Sequence, residues 1–374
     1  MISTRLLLTL LPFPLLAGET IRVSNNEELA AALRNIQPHT TLEIGPGEYR
    51  GGWSVRGVDH LTILAGGKKS SPQFIGGKSA WHFSRCNNLK VFRITCSGQT
   101  TNGINIDDGG DYANPTKNVS ISGVRITNIG PKGNTDALKC SGIDHLTITD
   151  CRFQGWGGQA IDFVGCHKST ISDCTFTGKD GYSQASGIQL KGGSEDITVE
   201  NCTFNNAGTR PINAGGSTGL AYFRPPGAKF EARRITIRDN TIQGSLCAVA
   251  FVGVDGAEFT RNLVIYPEKW IMRILQETTA PGFPPCRKVN FHHNVIVYKK
   301  SQVRTPANIG ANTAPQTFSF HNNLWFAADK PKESKPVLPT KESEGLYLFD
   351  PGLKINEYGP PEVTSSVALE VLGK

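Results

Sequence analysis

The chain has 374 residues, enough for two average domains or for one long solenoid in which each repeat touches only its neighbours. Charged residues make up 19% and glycines number 41, which excludes a coiled coil or helix-rich chain and favours a turn-rich β architecture. Lysine and arginine exceed the acids by 39 to 32, a net charge of +7 with no nucleic-acid motif, so the basic bias points to an anionic partner of another kind.

Residues 1–18 read as an export signal: Arg5 supplies the positive end, Leu6 to Leu16 the apolar stretch, and Ala17-Gly18 the cleavage region. No segment is long enough to span a membrane, so a secreted or periplasmic, soluble monomer is expected over residues 19–374. Within about 19–50, Asn25-Asn26-Glu27-Glu28 opens a short amphipathic helix with Leu29, Ala32, Leu33 and Ile36 on one face. Such a helix would plug the open end of a solenoid. From about 327 to 374 the chain is rich in Lys, Pro and Ser, which predicts an extended tail closing the other end.

Internal repetition is the dominant signal. LTITDCRF (146–153), STISDCTF (169–176), ITVENCTF (197–204), ITIRDNTI (235–242), AEFTRNLV (257–264), VNFHHNVI (289–296) and FSFHNNLW (318–325) align without gaps. The sixth position runs Cys151, Cys174, Cys202, Asn240, Asn262, Asn294 and Asn323. Stacked coils lie about 4.8 Å apart, so like residues sit over like. An inward Asn column bonds to itself and to the backbone, and a Cys there acts as a small buried hydrophobe. The nine cysteines therefore suggest no disulfide framework, and no CxxC or CxxH spacing appears, so no metal site is expected from them.

A second strand recurs as NGINIDDGG (102–110), DALKCSG (136–142), QAIDFVG (159–165), SGIQLKGG (186–193), RPINAGG (210–216) and AVAFVG (248–253). Alternation places Ile104, Leu138, Ile161, Ile188 and Ile212 inside. Two outward columns result. One holds Asn105, Lys139, Asp162, Gln189 and Asn213; the other holds Asp107, Ser141, Val164, Lys191 and Gly215. The segments 108–116, 179–185 and 216–228 are loops suited to walling a groove over this face.

With GIQLKGGS, AGTRPINAGGSTG and RILQETTAPGF added to the coil pattern, the chain resembles the bacterial right-handed parallel β-helix superfamily. That superfamily contains pectate, alginate and chondroitin lyases and polygalacturonases. The resemblance implies an all-β right-handed solenoid with a short N-terminal capping helix. It further implies a secreted polysaccharide lyase cleaving an anionic uronic-acid polysaccharide by β-elimination. Elimination requires a cation on the C5 carboxylate, a base for the C5 proton and an acid for the leaving oxygen.

Lyases of this type use a lysine and an arginine about one coil apart, which resembles Lys191 and Arg210. Lys191, with no carboxylate in its column and with Arg210 and Arg224 nearby, is the expected base; Arg210 is the expected cation, with Tyr182 in support. Lys139, Asp162, Gln189, Asn213, Tyr222, Arg224 and Arg273 are expected to bind substrate. Lys139 and Asp162 should pair, as should Arg273 and Glu277, and Trp156, Tyr222 and Phe223 are candidate sugar platforms. No cofactor is expected; the alternative is calcium near Asp107, Asp108 and Asp111, for which a turn rich in Asp and Gly is the simpler account.

Three other functions remain open. Asn134-Thr135-Asp136 resembles the NTD motif of polygalacturonases, one coil before Asp162, so hydrolysis gains weight if those two carboxyls face one groove with no cation between them. A uronan epimerase shares the first chemical step of a lyase. A non-catalytic carbohydrate-binding protein would use the same groove.

Overall fold

The computed structural model describes residues 18–67, 70–356 and 359–374; the expected export signal lies outside them, except for Gly18. Three long parallel sheets run the length of the molecule, and successive strands of the chain visit them in turn. Sheet A has twelve strands, from Thr20–Val23 to Ser319–His321. Sheet B has twelve, beginning at Glu48–Arg50, and sheet C ten, from Trp53–Arg56 to Ala307–Ile309. Each strand pairs with the strand one coil before and one coil after it, which is the parallel β-helix that the repeats predict.

Register follows the aligned repeats. In sheet A, Ile148, Ile171, Val199, Ile237, Phe259, Phe291 and Phe320 form one inward column. In sheet B, Phe153, Phe176 and Phe204 stack with centroids 5.0 and 4.6 Å apart and rings nearly parallel. Ile104, Leu138, Ile161, Ile188 and Ile212 are fully buried.

The turn from sheet A to sheet B explains the sixth-position column. Asp150, Asp173, Asn201, Asp239, Arg261, His293 and Asn322 all have φ between +52° and +59°, the left-handed region that Asp and Asn tolerate best. That residue aims its successor inward. Asn262 Oδ1 accepts from Asn240 N and Nδ2, both at 3.0 Å, while its Nδ2 donates to Ile237 O at 3.0 Å and Asn294 Oδ1 at 3.1 Å. The ladder continues from Asn294 to Asn323, and Cys202 N donates to Asn240 Oδ1 at its other end. All nine cysteines are buried and free.

A helix, α1 (Asn26–Arg34), is capped by the Asn25 side chain, which accepts from Glu28 N. Leu29 is buried, and Ala30, Ala32, Leu33 and Ile36 pack against the core. The C-terminal segment differs from the expected extended tail. Its last residues form a helix, α2 (Ser366–Val371), because Val363, Ala368, Val371 and Leu372 find an apolar patch on the outer face of sheet B: Leu263, Ile265, Val295, Val297 and Leu324.

Replacing Asn262 with Leu leaves several buried ladder groups unpaired, at about 1–3 kcal/mol each. A loss of roughly 3 kcal/mol or more is expected in chemical denaturation, against about 1 kcal/mol for Cys174→Ala, which removes only a small hydrophobe. Equal losses for the two variants would contradict a hydrogen-bonded ladder.

Candidate functional site on the outer face of sheet C

The first outward column of sheet C is as expected and longer: Ser54, His82, Asn105, Lys139, Asp162, Gln189 and Asn213 are in register, followed by Ala250, Arg273 and Asn308. The second runs Arg56, Ser84, Asp107, Ser141, Val164 and Lys191. The loops 108–115 and 216–231 leave sheet C along one edge, whereas 179–185 enters it along the other.

At the centre lies an alternating chain of charges. Lys139 Nζ is 2.9 Å from Asp136 Oδ2 and 2.6 Å from Asp162 Oδ2. Lys191 Nζ is 3.0 Å from Asp162 Oδ1, but off the hydrogen-bonding angle, so that oxygen is charge-paired without receiving an aligned proton. Both carboxylates have 0% side-chain exposure, while Lys139 and Lys191 retain 24% and 15%. The face therefore presents ammonium groups, with their counter-charges beneath.

Burial, followed by the charge of Asp162, raises the Asp136 carboxyl above its usual range, and Lys139 only partly offsets this. Burial would raise Asp162 as well, but Lys191 and Lys139 together outweigh it and hold that group low. Lys139 is desolvated, yet its two carboxylates raise its affinity for the proton.

Several expected roles need correction. Lys191 does have a carboxylate partner: Asp162 lies diagonally, one column over and one coil back, within reach of a lysine. Arg210 pairs in register with Ser186, at the start of the strand that Lys191 ends. The two positions are thus five residues apart along the strand direction, roughly 16 Å, and do not form a shared centre. Arg210 instead meets Glu277 at 3.5 Å, and Arg273 donates to Asn308 Oδ1 at 2.9 Å rather than pairing with Glu277. Burial and then Arg210 lower the Arg273 guanidinium from its ordinary value.

Tyr182 sits at the entering edge, with its ring under Lys179 and its hydroxyl 3.5 Å from Asn128. Arg224 is buried, donating to Asp108 at 2.5 Å and lying over Tyr112, so it binds the loop rather than a ligand. Gly142 and Gly165, at φ +66° and +62°, leave the space this crossing needs: a Cβ on Gly165 would lie 2.3 Å from the Arg224 Cβ. Asp162, Gln189 and Asn213 are buried, as are Trp156 and Phe223, while Tyr222 is an exposed loop residue at 58%. Lys139 pairs with Asp162 as expected.

Asp107, Asp108 and Asp111 do not converge. Asp108 goes to Arg224, and Asp111 to Asn114, with Arg85 at 4.0 Å. Asp107 bonds His82 Nε2 at 2.7 Å, Asn105 Nδ2 at 3.0 Å and Gly109 N at 2.9 Å. Burial opposes ionisation of Asp107, but its donors, His82 foremost, hold it at about 2.

His82 was not singled out in the sequence. Its side chain is 42% exposed, with Nε2 anchored by Asp107, and Nδ1 has no hydrogen-bond partner among the described residues. Arg56, one coil earlier on the same face, donates to Ser84 Oγ at 3.3 Å. Glu231, also missed, is fully buried; it accepts from Gly192 N, Thr218 N and Oγ1, and Thr278 Oγ1, tying two exit loops to the Lys191 turn.

The model of the right-handed β-helix region matches residues 74–264, just over half of the chain. The chain belongs to the right-handed β-helix family. Solved structures of similar shape include an alginate lyase from Paenibacillus sp. str. FPU-7, at TM-score 0.53 and 16% identity, covering 79% of this chain and 99% of that one. The family 28 exopolygalacturonase of Yersinia enterocolitica aligns at 0.52 and 12%, covering 88% and 78%. The GH136 lacto-N-biosidase of Eubacterium ramulus aligns at 0.55 and 13%, covering 88% and 68%. At these identities the likeness is one of fold. No curated protein sequence matches the chain. No helix among the described residues is long and apolar enough to cross a membrane.

Two outcomes follow from the charge arrangement. Asp107→Asn removes stability that is present above the ordinary carboxylate value of 3.8 and disappears as pH falls through about 2. The wild type should exceed the variant by about 1–2 kcal/mol at neutral pH, after discounting for partial exposure, with the gap narrowing below pH 4. Asp162→Asn leaves Lys191 without a carboxylate partner and Lys139 with Asp136 alone, and a loss of about 3 kcal/mol is expected in denaturant titrations.

Proposed function

We propose that the protein binds an acidic polysaccharide along the outer face of sheet C and cleaves it by β-elimination. The observation that carries this reading is the half-exposed His82, oriented by Asp107, on the face that also presents Arg56, Lys139 and Lys191. Two carboxylates hold Lys139 charged, and Lys191 is ion-paired to Asp162, so both are assigned to hold and neutralise uronate carboxylates. His82 Nδ1 takes the C5 proton while Arg56 neutralises the carboxylate of that sugar; the C4–C5 double bond forms as the C4–O4 bond breaks, and the departing oxygen takes its proton from water or back from His82. Arg210 and Arg273 extend the cationic track. The similarity in shape to an alginate lyase is compatible with this substrate class. So is an exported location, at which such polymers occur.

A specific observation favours a second reading, hydrolysis. Asp136 is raised and Asp162 lowered, a split between two carboxyls that suits an acid and a base. Against it, Lys139 lies between them and neither is exposed.

Incubation with alginate, pectate and chondroitin tests both. Elimination produces new ultraviolet-absorbing unsaturated ends in step with reducing ends; hydrolysis produces reducing ends alone. For the lyase, His82→Ala should lower kcat by about 100-fold or more, and Lys191→Ala should mainly raise KM. Turnover unaffected by His82→Ala would eliminate His82 as the base, and binding without turnover would leave only the carbohydrate-binding part of the proposal.

A further inference from the structure

Far from the sheet C face, three histidines meet on two neighbouring coils. His292 ends the strand Arg287–His292, His293 occupies the left-handed turn position after it, and His321 is in register with His292 one coil on. The His292 and His321 rings stack at 4.5 Å, and His293 stands edge-on to both, with centroids 5.0 and 5.8 Å away. One ring nitrogen from each lies within 4.8 Å of the others.

His292 Nε2 contacts the Glu258 carboxylate at 2.8 Å, which requires a proton on Nε2 and leaves Nδ1 with a lone pair. That Nδ1 faces His293 Nδ1 at 2.7 Å and Thr260 Oγ1 at 3.2 Å. A histidine nitrogen aimed at its fellows, with the other nitrogen on a carboxylate, is how proteins orient imidazoles toward metals. His293 also borders a cavity of about 650 Å³ shared with Asn322 and Glu344, and Asn322 Nδ2 donates to Glu344 Oε2 at 2.9 Å.

We propose that His292, His293 and His321 form a binding site for one late first-row divalent cation of the zinc, nickel or copper class. Three imidazoles select this class over calcium or magnesium, which prefer oxygen. At the usual zinc–nitrogen distance of about 2.0–2.1 Å, ligands in tetrahedral array stand roughly 3.3 Å apart, so the two Nδ1 atoms need to separate by only about half an ångström. His321 exchanges a bond to a neighbouring amide, Asn290 or Asn322, for the metal. The fourth position opens toward the cavity, where water or Glu344 completes it. The cation thereby pins the coil of residues 287–298 to the coil of 319–327.

Isothermal titration of tag-free protein with Zn²⁺, Ni²⁺ and Cu²⁺ tests this. One equivalent should bind at micromolar affinity or tighter and raise Tm. His321→Ala and His293→Gln should each weaken binding by at least about 100-fold, and Glu258→Gln, acting through His292, by about 10-fold. His60→Ala, in the separate His39–His60 stack, should leave it unchanged. Nitrogen hyperfine structure in the electron paramagnetic resonance of the Cu²⁺ form identifies imidazole ligands. Because two histidines on different coils are varied, failure of one variant to fold leaves the other. Wild-type affinity in either folded variant, or no stoichiometric binding of any of the three cations, overturns the site.

Discussion

Everything in this molecule rests on the turn between sheets A and B, where a left-handed residue aims the next side chain into the core of the solenoid. Once a polar atom is buried there, it must find a partner in the adjacent coil, because no water is available to it. Asn240, Asn262, Asn294 and Asn323 meet that demand through one another, and Cys151, Cys174 and Cys202 avoid it by being small and weakly polar. The ladder locks the coils in register. A slip by one residue would turn every inward Ile and Phe outward. The columns on sheet C, and hence the meeting of Lys139 with Asp162, are consequences of that lock.

The charged chain on sheet C is neutral as a set but not as a surface. Asp136 and Asp162 are held inside by backbone and lysine partners, Asp136 Oδ1 also accepting from Gln159 N at 2.9 Å. Their ammonium partners reach outward. Deeply buried carboxylates are costly alone and tolerable in such alternation, because each is bracketed by a cation. The basic bias of the sequence thus becomes locally meaningful: the acids on this face are spent internally.

The coil pattern was legible because identical geometry repeats and stacking forces like onto like; the aligned segments predict both the Asn column and the inward Ile column of sheet C. What was not legible concerns reach and direction. Column alignment finds neighbours directly above, so it paired Lys139 with Asp162 but missed the diagonal from Lys191 to the same carboxylate. Sequence distance also misled: Lys191 and Arg210 lie on adjacent strands but at opposite ends of them. His82 escaped notice because its strand, Ser79–Ser84, precedes the segments that align well; the clue was the alternation of Trp81, His82 and Phe83, which turns the histidine outward. The left-handed position hid His293, since a residue there looks like turn chemistry until His321 is seen beside it.

The loops that cross the exit edge of sheet C are fastened to a single fully buried carboxylate. Glu231 accepts hydrogen bonds from the Gly192 turn and from Thr218 and Thr278, in loops separated by some sixty residues of chain. Such a rivet means that this edge of sheet C moves as one piece. Under the proposed function, a long, stiff polymer lies against that edge without first having to fold a flap shut, and what it meets changes from coil to coil while the backbone beneath stays periodic. Sliding the polymer along by one coil, or reversing it end to end, trades every partner at once, so direction is written into a scaffold whose spacing alone carries none.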